Sequence, residues 1–336
     1  KVAGGIAAIG ATAAVFYTAS SAMPQGAFLA ASASPMEKEF AAYVAQFNKH
    51  YLATEEYEAR LSLFAETHHM IAAHNMEGHS WSLGHNHMSD WTEAERTTML
   101  GYKKNERNPE NVHTLDVSAV PATVDWRSTL KSVNDVKDQA KCGSCWAFST
   151  TGSIESNYEI AHKEYIPLSE QQLVDCSWWD NGCGGGNIDD GFAYAVSKGM
   201  EGEADYPYKG ADGTCAYDKT KVRNDKVAGH LDIASYDILQ MQAAVAHGPV
   251  SIAIQANQKP FHFYKGGIIP NDGTCGEDLD HAVLAVGYGE EKGVKYFIVK
   301  NSWTKNWGEQ GFVRLEHNSW SCACGCVDVP SLVKVE

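Results

Sequence analysis

Gln139-Ala140-Lys141-Cys142-Gly143-Ser144-Cys145-Trp146-Ala147-Phe148-Ser149 is the stretch on which the rest of the chain turns. Its first half is short, polar and punctuated by glycine, which predicts a turn. From Trp146 onward, Ala147, Phe148, Ile154 and Tyr158 fall close to a 3.6-residue period, which predicts a helix. Cys145 is thereby placed at a helix N-terminus, where unpaired N–H groups and the helix dipole favour negative charge. A thiol there is expected to ionise more easily, and the thiolate is the nucleophilic form. Two candidate partners stand far downstream: His281, 136 residues on, and Asn301, 156 residues on. A nucleophile, a base and a group that orients the base make a working triad. Rival readings of Cys142-Gly143-Ser144-Cys145 are weaker. A redox pair needs a βαβ surround and a zinc site a second nearby ligand pair, and neither is evident. A purely structural cysteine leaves the His and the Asn as coincidence.

The 336 residues exceed one ordinary core and predict more than one folding unit. The net charge of −15 weighs against nucleic acid or an anionic membrane as main partner. Nine cysteines point to an oxidising compartment. Val2 to Ala19 is an Ala/Gly-rich apolar run followed by Ser20, Ser21 and Ala22, which fits a secretory signal over 1–22. A signal anchor is the alternative, since the run is nearly long enough to span. Its poverty in Leu favours cleavage after Ala22.

Met36 to His79 reads as two helices, the first placing Phe40, Tyr43, Val44 and Phe47 on one face. The second runs from about Thr54 to Asn75 and carries Glu56, Arg60, Phe64, Thr67, Ile71 and Asn75 near one stripe. On the residues alone this is an amphipathic helix with an exposed Glu56–Arg60 pair. A short helix is expected over Ser89 to Leu100, capped by Ser89 or Asp90, and a polar linker over Tyr102 to Ser118. Beyond Val227, runs such as Val250–Ile254, Ala282–Tyr288, Tyr296–Lys300 and Gly311–Leu315 are β-branched or aromatic, and predict a β-rich half beside the helical one. A cleft between two such lobes is a usual place for a site.

Cys142-Gly143-Ser144-Cys145-Trp146 matches in full the signature around the nucleophile of papain-like cysteine proteases, which have a His and an Asn roughly 130–150 residues downstream. The helix stripe resembles the ERFNIN pattern of cathepsin pro-regions, with Thr67 where the family has Asn. Gly84-His85-Asn86-His87-Met88-Ser89-Asp90 resembles their G-x-N-x-F-x-D motif, with Met88 in place of Phe. Ala119 to Arg127 resembles the start of a mature cathepsin L-like enzyme. The chain is thus identified as similar to a cathepsin L-like precursor from about Met36 to its C-terminus.

The resemblance implies an α+β, two-lobe papain-like fold, helical lobe plus antiparallel β-barrel lobe, over 120–336, behind an α-helical inhibitory pro-region over 36–117 that crosses the cleft against the direction of a substrate. It implies a cysteine endopeptidase made as a zymogen, with Cys145 as nucleophile, His281 as base and Asn301 orienting it. Gln139 and the Cys145 backbone N–H would form the oxyanion hole, and Trp303 would shield the Asn301–His281 bond. Gly143, Gly185, Gly186, Ile188, Asp280, Ala282 and Trp307 fall along the expected substrate path. Ile188 and Ala282 would wall the main specificity pocket, with Cys326 to Asp328 at its base. An apolar base favours hydrophobic side chains, and an inward Asp328 makes basic ones acceptable. By family pattern Cys142 pairs with Cys183, Cys176 with Cys215, and Cys275 with Cys322 or a neighbour, leaving Cys324 and Cys326 outside. No cofactor or metal is implied. The implied partners are protein or peptide substrates and the chain's own pro-region, with no nucleic acid and no stable membrane association after signal removal. A monomer is expected, in the secretory pathway and then a lysosome, acidic vacuole or the exterior. The alternative is a catalytically silent homologue that binds or inhibits through its pro-region, which the intact Gln139, Cys145, His281 and Asn301 disfavour. Eight of the fourteen histidines lie in the first 116 residues, which suggests an acid-triggered opening.

Overall fold

The computed structural model describes residues 34–107 and 109–336; the expected signal or anchor over 1–22 lies outside them. The described residues fall into two compact units, divided after Lys49. In the first, helix α1 (Pro35–Gln46) begins at a capping box: Ser34 Oγ accepts from Glu37 N, and the Glu37 carboxylate accepts from Ser34 N. Pro35 at its first position is pre-set for the helix. The Phe40 and Tyr43 rings stack on its predicted face, 5.9 Å apart.

The second unit opens with α2 (Thr54–Met76), whose Phe64, Thr67 and Ile71 are buried. Arg60 does little with Glu56, 4.0 Å away. It instead forks onto Glu95, with Nη2–Oε1 at 2.8 Å, and donates to the Asp90 carbonyl. Asn75 exchanges two hydrogen bonds of 2.9 Å with the Leu83 backbone, which docks strand β1 (Trp81–Leu83) against the helix. Helix α3 spans only Glu93–Thr97, shorter than expected, and its cap is Thr92 rather than Ser89 or Asp90. Thr92 and Glu95 form a complete capping box. Ser89 Oγ is occupied by Asn86 N, and Asp90 accepts from the Tyr51 hydroxyl. Residues 99–107, most of them read as linker, form a strap, and a 3₁₀ turn (Pro109–Asn111) leads into β2 (Val112–His113).

The helical lobe follows β3 (Val124–Asp125) and α4 (Lys131–Asn134). It comprises α5 (Cys145–His162), α6 (Glu170–Cys176), α7 (Ile188–Lys198) and the small pair β4 (Met200–Glu201) and β5 (Val222–Asn224). The β lobe contains β6 (Val227–Ile233), α8 (Ile238–His247), β7 (Val250–Ile254), α9 (Lys259–His262) and β8 (Tyr264–Ile269). It continues with β9 (His281–Glu291), β10 (Val294–Lys300), β11 (Phe312–Glu316) and β12 (Ser331–Val335). These strands form one sheet ordered β1-β8-β11-β10-β9-β7-β12-β6-β2, with β3 on β9. All its pairings are antiparallel except β8 with β11 and β2 with β6. The strands that end this order, β1 and β2, both come from the region read as pro-region. No helix among the described residues is long and apolar enough to cross a membrane.

Helix α5 joins the lobes. Its residues Cys145 to Ser156 are all buried. Ser149 Oγ donates to the Val283 carbonyl at 2.7 Å, and Ser251 Oγ donates to the Ser149 carbonyl at 2.9 Å. Beside it, the part-buried Lys137 bridges the buried Glu155 and Glu170 at 2.8 and 2.7 Å. Buried charges are tolerated only when paired and hydrogen-bonded, so this cluster fixes the start of the loop that carries Gln139.

Disulfides join Cys142 to Cys183 and Cys176 to Cys215, as the family pattern implied. Of the partners left open for Cys275 the structure takes Cys324, and Cys322 bonds Cys326, so Cys324 and Cys326 do not lie outside the bridges as expected. The tight turn Ala323–Gly325 carries Cys324 in a left-handed conformation (φ 61°). That turn sends Cys324 toward Cys275 and leaves its two neighbours facing each other.

Candidate active site

Cys145 is the first residue of α5, and His281 opens β9. Asn301 lies just past β10, where its backbone N–H donates to Gly311. His281 Nε2–H donates to Asn301 Oδ1 at 2.8 Å, which fixes the ring tautomer and leaves Nδ1 as the proton acceptor. That nitrogen has no hydrogen-bond partner among the described residues. Asn301 Oδ1 is held in turn by Ser302 N at 2.8 Å. The Trp303 ring lies 4.7 Å from the imidazole and is itself fully buried, so water is kept off the Asn301–His281 bond.

Cys145 is completely buried. Its sulfur accepts the Gly101 N–H at 3.4 Å. Burial pushes the thiol up to about 11, against the lowering contributions of the Ala282, Gly101 and Trp146 N–H groups. Burial also pushes His281 down to about 4, against the Asn301 bond. The easier ionisation expected at a helix N-terminus is therefore not the state of this form. With the strap overhead, desolvation outweighs the helix end and favours the neutral form of both thiol and imidazole.

Gln139 is fully buried and pinned through its oxygen: Oε1 accepts from Ser302 Oγ at 2.7 Å and from Trp303 Nε1 at 3.1 Å. Its Nε2 therefore faces the cleft, where it donates to the Cys142 and Met99 carbonyls, both at 2.8 Å. Met99 belongs to the strap, so a peptide carbonyl already rests on this donor.

The strap continues along the glycine loop. Gly186 N donates to Gly101 O, and Lys103 N donates to Gly186 O, both at 2.8 Å. Tyr102 pairs with Gly186 in parallel, and its own N–H donates to Asp280 O at 3.0 Å. A Cβ on Gly185 would lie 2.5 Å from Gly101 O, which only a glycine permits. The Gly143 N–H donates to Cys183 O, while its carbonyl is packed against Gly101. The Tyr102 ring is buried in one apolar cluster with Ile188, Ala282, Ala253 and Val329. Asp328 accepts from Lys104 Nζ at 2.6 Å, so its carboxylate faces the strap. Burial pushes the Asp280 carboxyl up to about 6. Trp307 lies fully buried, with its indole donating to His262 O and packed on Trp303, Phe261 and Tyr264.

Reading the sequence did not single out Met99, Gly101, Tyr102 or Lys104. The available signal was Gly101 standing between the end of α3 and the polar run, where a close backbone approach calls for glycine. His262 was also missed. It is fully buried, stacks face to face on Trp303 at 5.3 Å, and is pushed down to about 3 by burial.

Residues 120–332 match the papain family cysteine protease domain, and residues 40–95 match the cathepsin propeptide inhibitor domain (I29). Cysteine protease XCP2 of Arabidopsis thaliana is 42% identical over 289 residues, which is 83% of this chain and 80% of that protein. Cathepsin L of Sarcophaga peregrina is 39% identical over 316 residues, 88% of this chain and 92% of that one. Digestive procathepsin L 3 from the larval midgut of Tenebrio molitor has the same fold, with a TM-score of 0.81 at 32% identity, covering 90% of this chain and 100% of that one. The chain belongs to the papain family of cysteine proteases, as a cathepsin L-like zymogen with its propeptide inhibitor domain attached.

Proposed function

We propose that residues 120–336 are an endopeptidase acting through Cys145, His281 and Asn301, and that residues 36–117 inhibit it until they are removed. The carrying observation is the Met99 carbonyl on Gln139 Nε2, beside a thiol against which the strap sets the Gly101 N–H. A carbonyl at that donor marks where an oxyanion would be stabilised. A nitrogen donor against the sulfur, in place of a carbonyl carbon, explains how the strap occupies the site without being cut. In a productive complex His281 Nδ1 takes the thiol proton and the sulfur bonds the scissile carbonyl carbon. Gln139 Nε2–H and the Cys145 N–H then hold the resulting oxyanion. The C–N bond breaks as His281 returns the proton to the amine, and water releases the acyl group from Cys145.

The pocket filled by Tyr102 suits aromatic or large apolar side chains, and Asp328 at its edge accepts a cation, as it does from Lys104. Eight cysteines in four disulfides support folding in an oxidising compartment. A secreted or lysosomal/vacuolar monomer acting on polypeptides, without cofactor, fits this reading. The test is incubation of the purified precursor at acid pH, with and without a thiol alkylator, beside Cys145→Ser. The variant should stay a folded, unprocessed precursor with negligible peptidase activity; near-native turnover by it would overturn the mechanism.

A further inference from the structure

Five residues beyond Tyr102, the strap makes a second deep polar contact outside the cleft. The Arg107 guanidinium enters between the end of β6 and the start of β12. Nη1 donates to Ile233 O at 3.0 Å, and Nη2 donates to Asp232 Oδ1 at 2.9 Å, to Ser331 Oγ at 3.3 Å and to Pro330 O. Every acceptor belongs to the peptidase domain. Asp232 is 2% exposed. Around it the Ser331 hydroxyl donates to Asp189 Oδ1 at 2.6 Å and lies 3.2 Å from Asp232 Oδ1. His230 Nε2 lies 3.6 Å from Asp189 and 3.8 Å from Asp232, its ring stacked on Phe192. Between this pocket and the cleft, Lys104 holds Asp328 and Asn105 donates to Asp190 at 2.8 Å, so acidic groups track the strap from one to the other.

A buried carboxylate stripped of its counter-charge carries a large desolvation cost. Two carbonyls, a carboxylate and a hydroxyl set around the two terminal nitrogens, Nη1 and Nη2, match the spread of a guanidinium better than a compact ammonium, while the buried Nε has no partner among the described residues. When the pro-region departs, β2 leaves the edge of β6 as well, but Asp232, Ser331, Ile233 O and Pro330 O all stay with the peptidase domain, short of their cation. We infer that the pocket of Asp232, Ser331, Ile233 O and Pro330 O, backed by Asp189 and His230, is an arginine-recognition site. In the zymogen it retains the strap; in the processed enzyme it takes an arginine side chain of a polypeptide lying beyond the cleft. The second half of this inference rests on the reading of the strap as a removable pro-segment.

The test uses a fluorescently labelled peptide spanning residues 99–112, added to the protein freed of its pro-region at acid pH and followed by polarisation. Turnover of a short fluorogenic substrate is recorded on the same sample. Arg107→Gln in the peptide should weaken binding about 10- to 100-fold, the scale of hydrogen bonds to a buried charge. Arg107→Lys should recover only a small part of this. On enzyme carrying Ser331→Ala, or Asp232→Asn, the ratio between Arg and Gln peptides should collapse toward one, and being a ratio on one sample it is independent of the active fraction. Equal binding of the Arg and Lys peptides, or a ratio untouched by both enzyme variants, would overturn the site. A sample that discriminates the peptides but turns over no substrate would overturn the endopeptidase reading and leave the site standing.

Discussion

The Gly101 N–H donates to Cys145 Sγ at 3.4 Å, and Gly101 itself lies against Gly143 so closely that a Cβ on it would stand 1.8 Å from the Gly143 carbonyl oxygen. The inhibited state therefore depends on backbone meeting backbone. Gly101→Ala should lift the strap off the thiol, because the clash is with main chain that cannot rotate away. The Cys145 pKa should then fall from about 11 toward the ordinary thiol range as water returns. Alkylation of Cys145 by iodoacetamide in the unprocessed variant at pH 7 should accelerate by about tenfold or more, in the direction of the larger thiolate fraction. An unchanged rate would show that the strap does not set the state of the thiol.

Gln139 is held by four hydrogen bonds to Met99, Cys142, Ser302 and Trp303. Its amide can turn only by breaking the pair that fixes Oε1. In the processed enzyme, Gln139→Ala should lower kcat by about 10²–10³-fold, the usual effect of losing one oxyanion donor. Trp303→Phe keeps an aromatic ring over His281 but removes one of the two Oε1 donors, and should cost about tenfold or less. A loss of only a few-fold for Gln139→Ala would remove that residue from the site.

The local parts of this site were legible because their signals are local. The turn at Cys142 to Ser144 and the helix period after Trp146 put Cys145 at a helix start, and β9 does open at His281. Arg60 was legible as a helix-stripe residue, but its partner Glu95 was not, since that contact joins residues 35 apart in sequence. The same holds for Tyr102 in the pocket of Ile188 and Ala282 and for Arg107 on Asp232. A polar run without a period reads as linker unless its tertiary anchors are known. The expected cap at Ser89 or Asp90 failed for another reason: several residues in that stretch can cap, and the local bond from Asn86 N to Ser89 and the tertiary one from Tyr51 to Asp90 decide which remain available.

The cysteine-rich tail gives a prediction opposed to leaving Cys324 and Cys326 outside the bridges. Non-reduced peptide mapping should find Cys275 with Cys324 and Cys322 with Cys326. In the chain-entropy picture, closing the short Cys322–Cys326 loop is worth about 2 kcal/mol and the longer Cys275–Cys324 loop about 4 kcal/mol. Paired Cys→Ser replacement of the first should lower the midpoint of thermal unfolding by less than replacement of the second. A Cys275–Cys322 peptide in the map would restore the family pairing.

The last prediction concerns acid opening. His85 stacks on Phe64 at 4.4 Å, and its Nε2 lies 3.1 Å from His68 Nδ1. Of those two facing nitrogens one must donate and the other accept, so the arrangement excludes protons on both. Burial, with His68 adding to it, pushes His85 down to about 4. The folded pro-region therefore binds fewer protons than an opened one between pH 4 and the ordinary histidine value of about 6.5. Stability of the closed form must then fall as pH drops through that window, with the loss complete below the folded value. Burial also lowers His74, which acts in the same direction. Glu95 adds to this only at the acid end: Arg60, with Lys141, holds its carboxyl well below the usual carboxylate range, so the closed form begins to lose that contribution as pH falls through the ordinary carboxylate value of about 4.5. His85→Gln, which cannot take up a proton, should move the pH midpoint of self-processing downward, and His68→Gln should reproduce part of the shift. Thermal melting at pH 7.5 serves as the control for lost stacking on Phe64. A midpoint unmoved in both variants would assign the trigger to other groups.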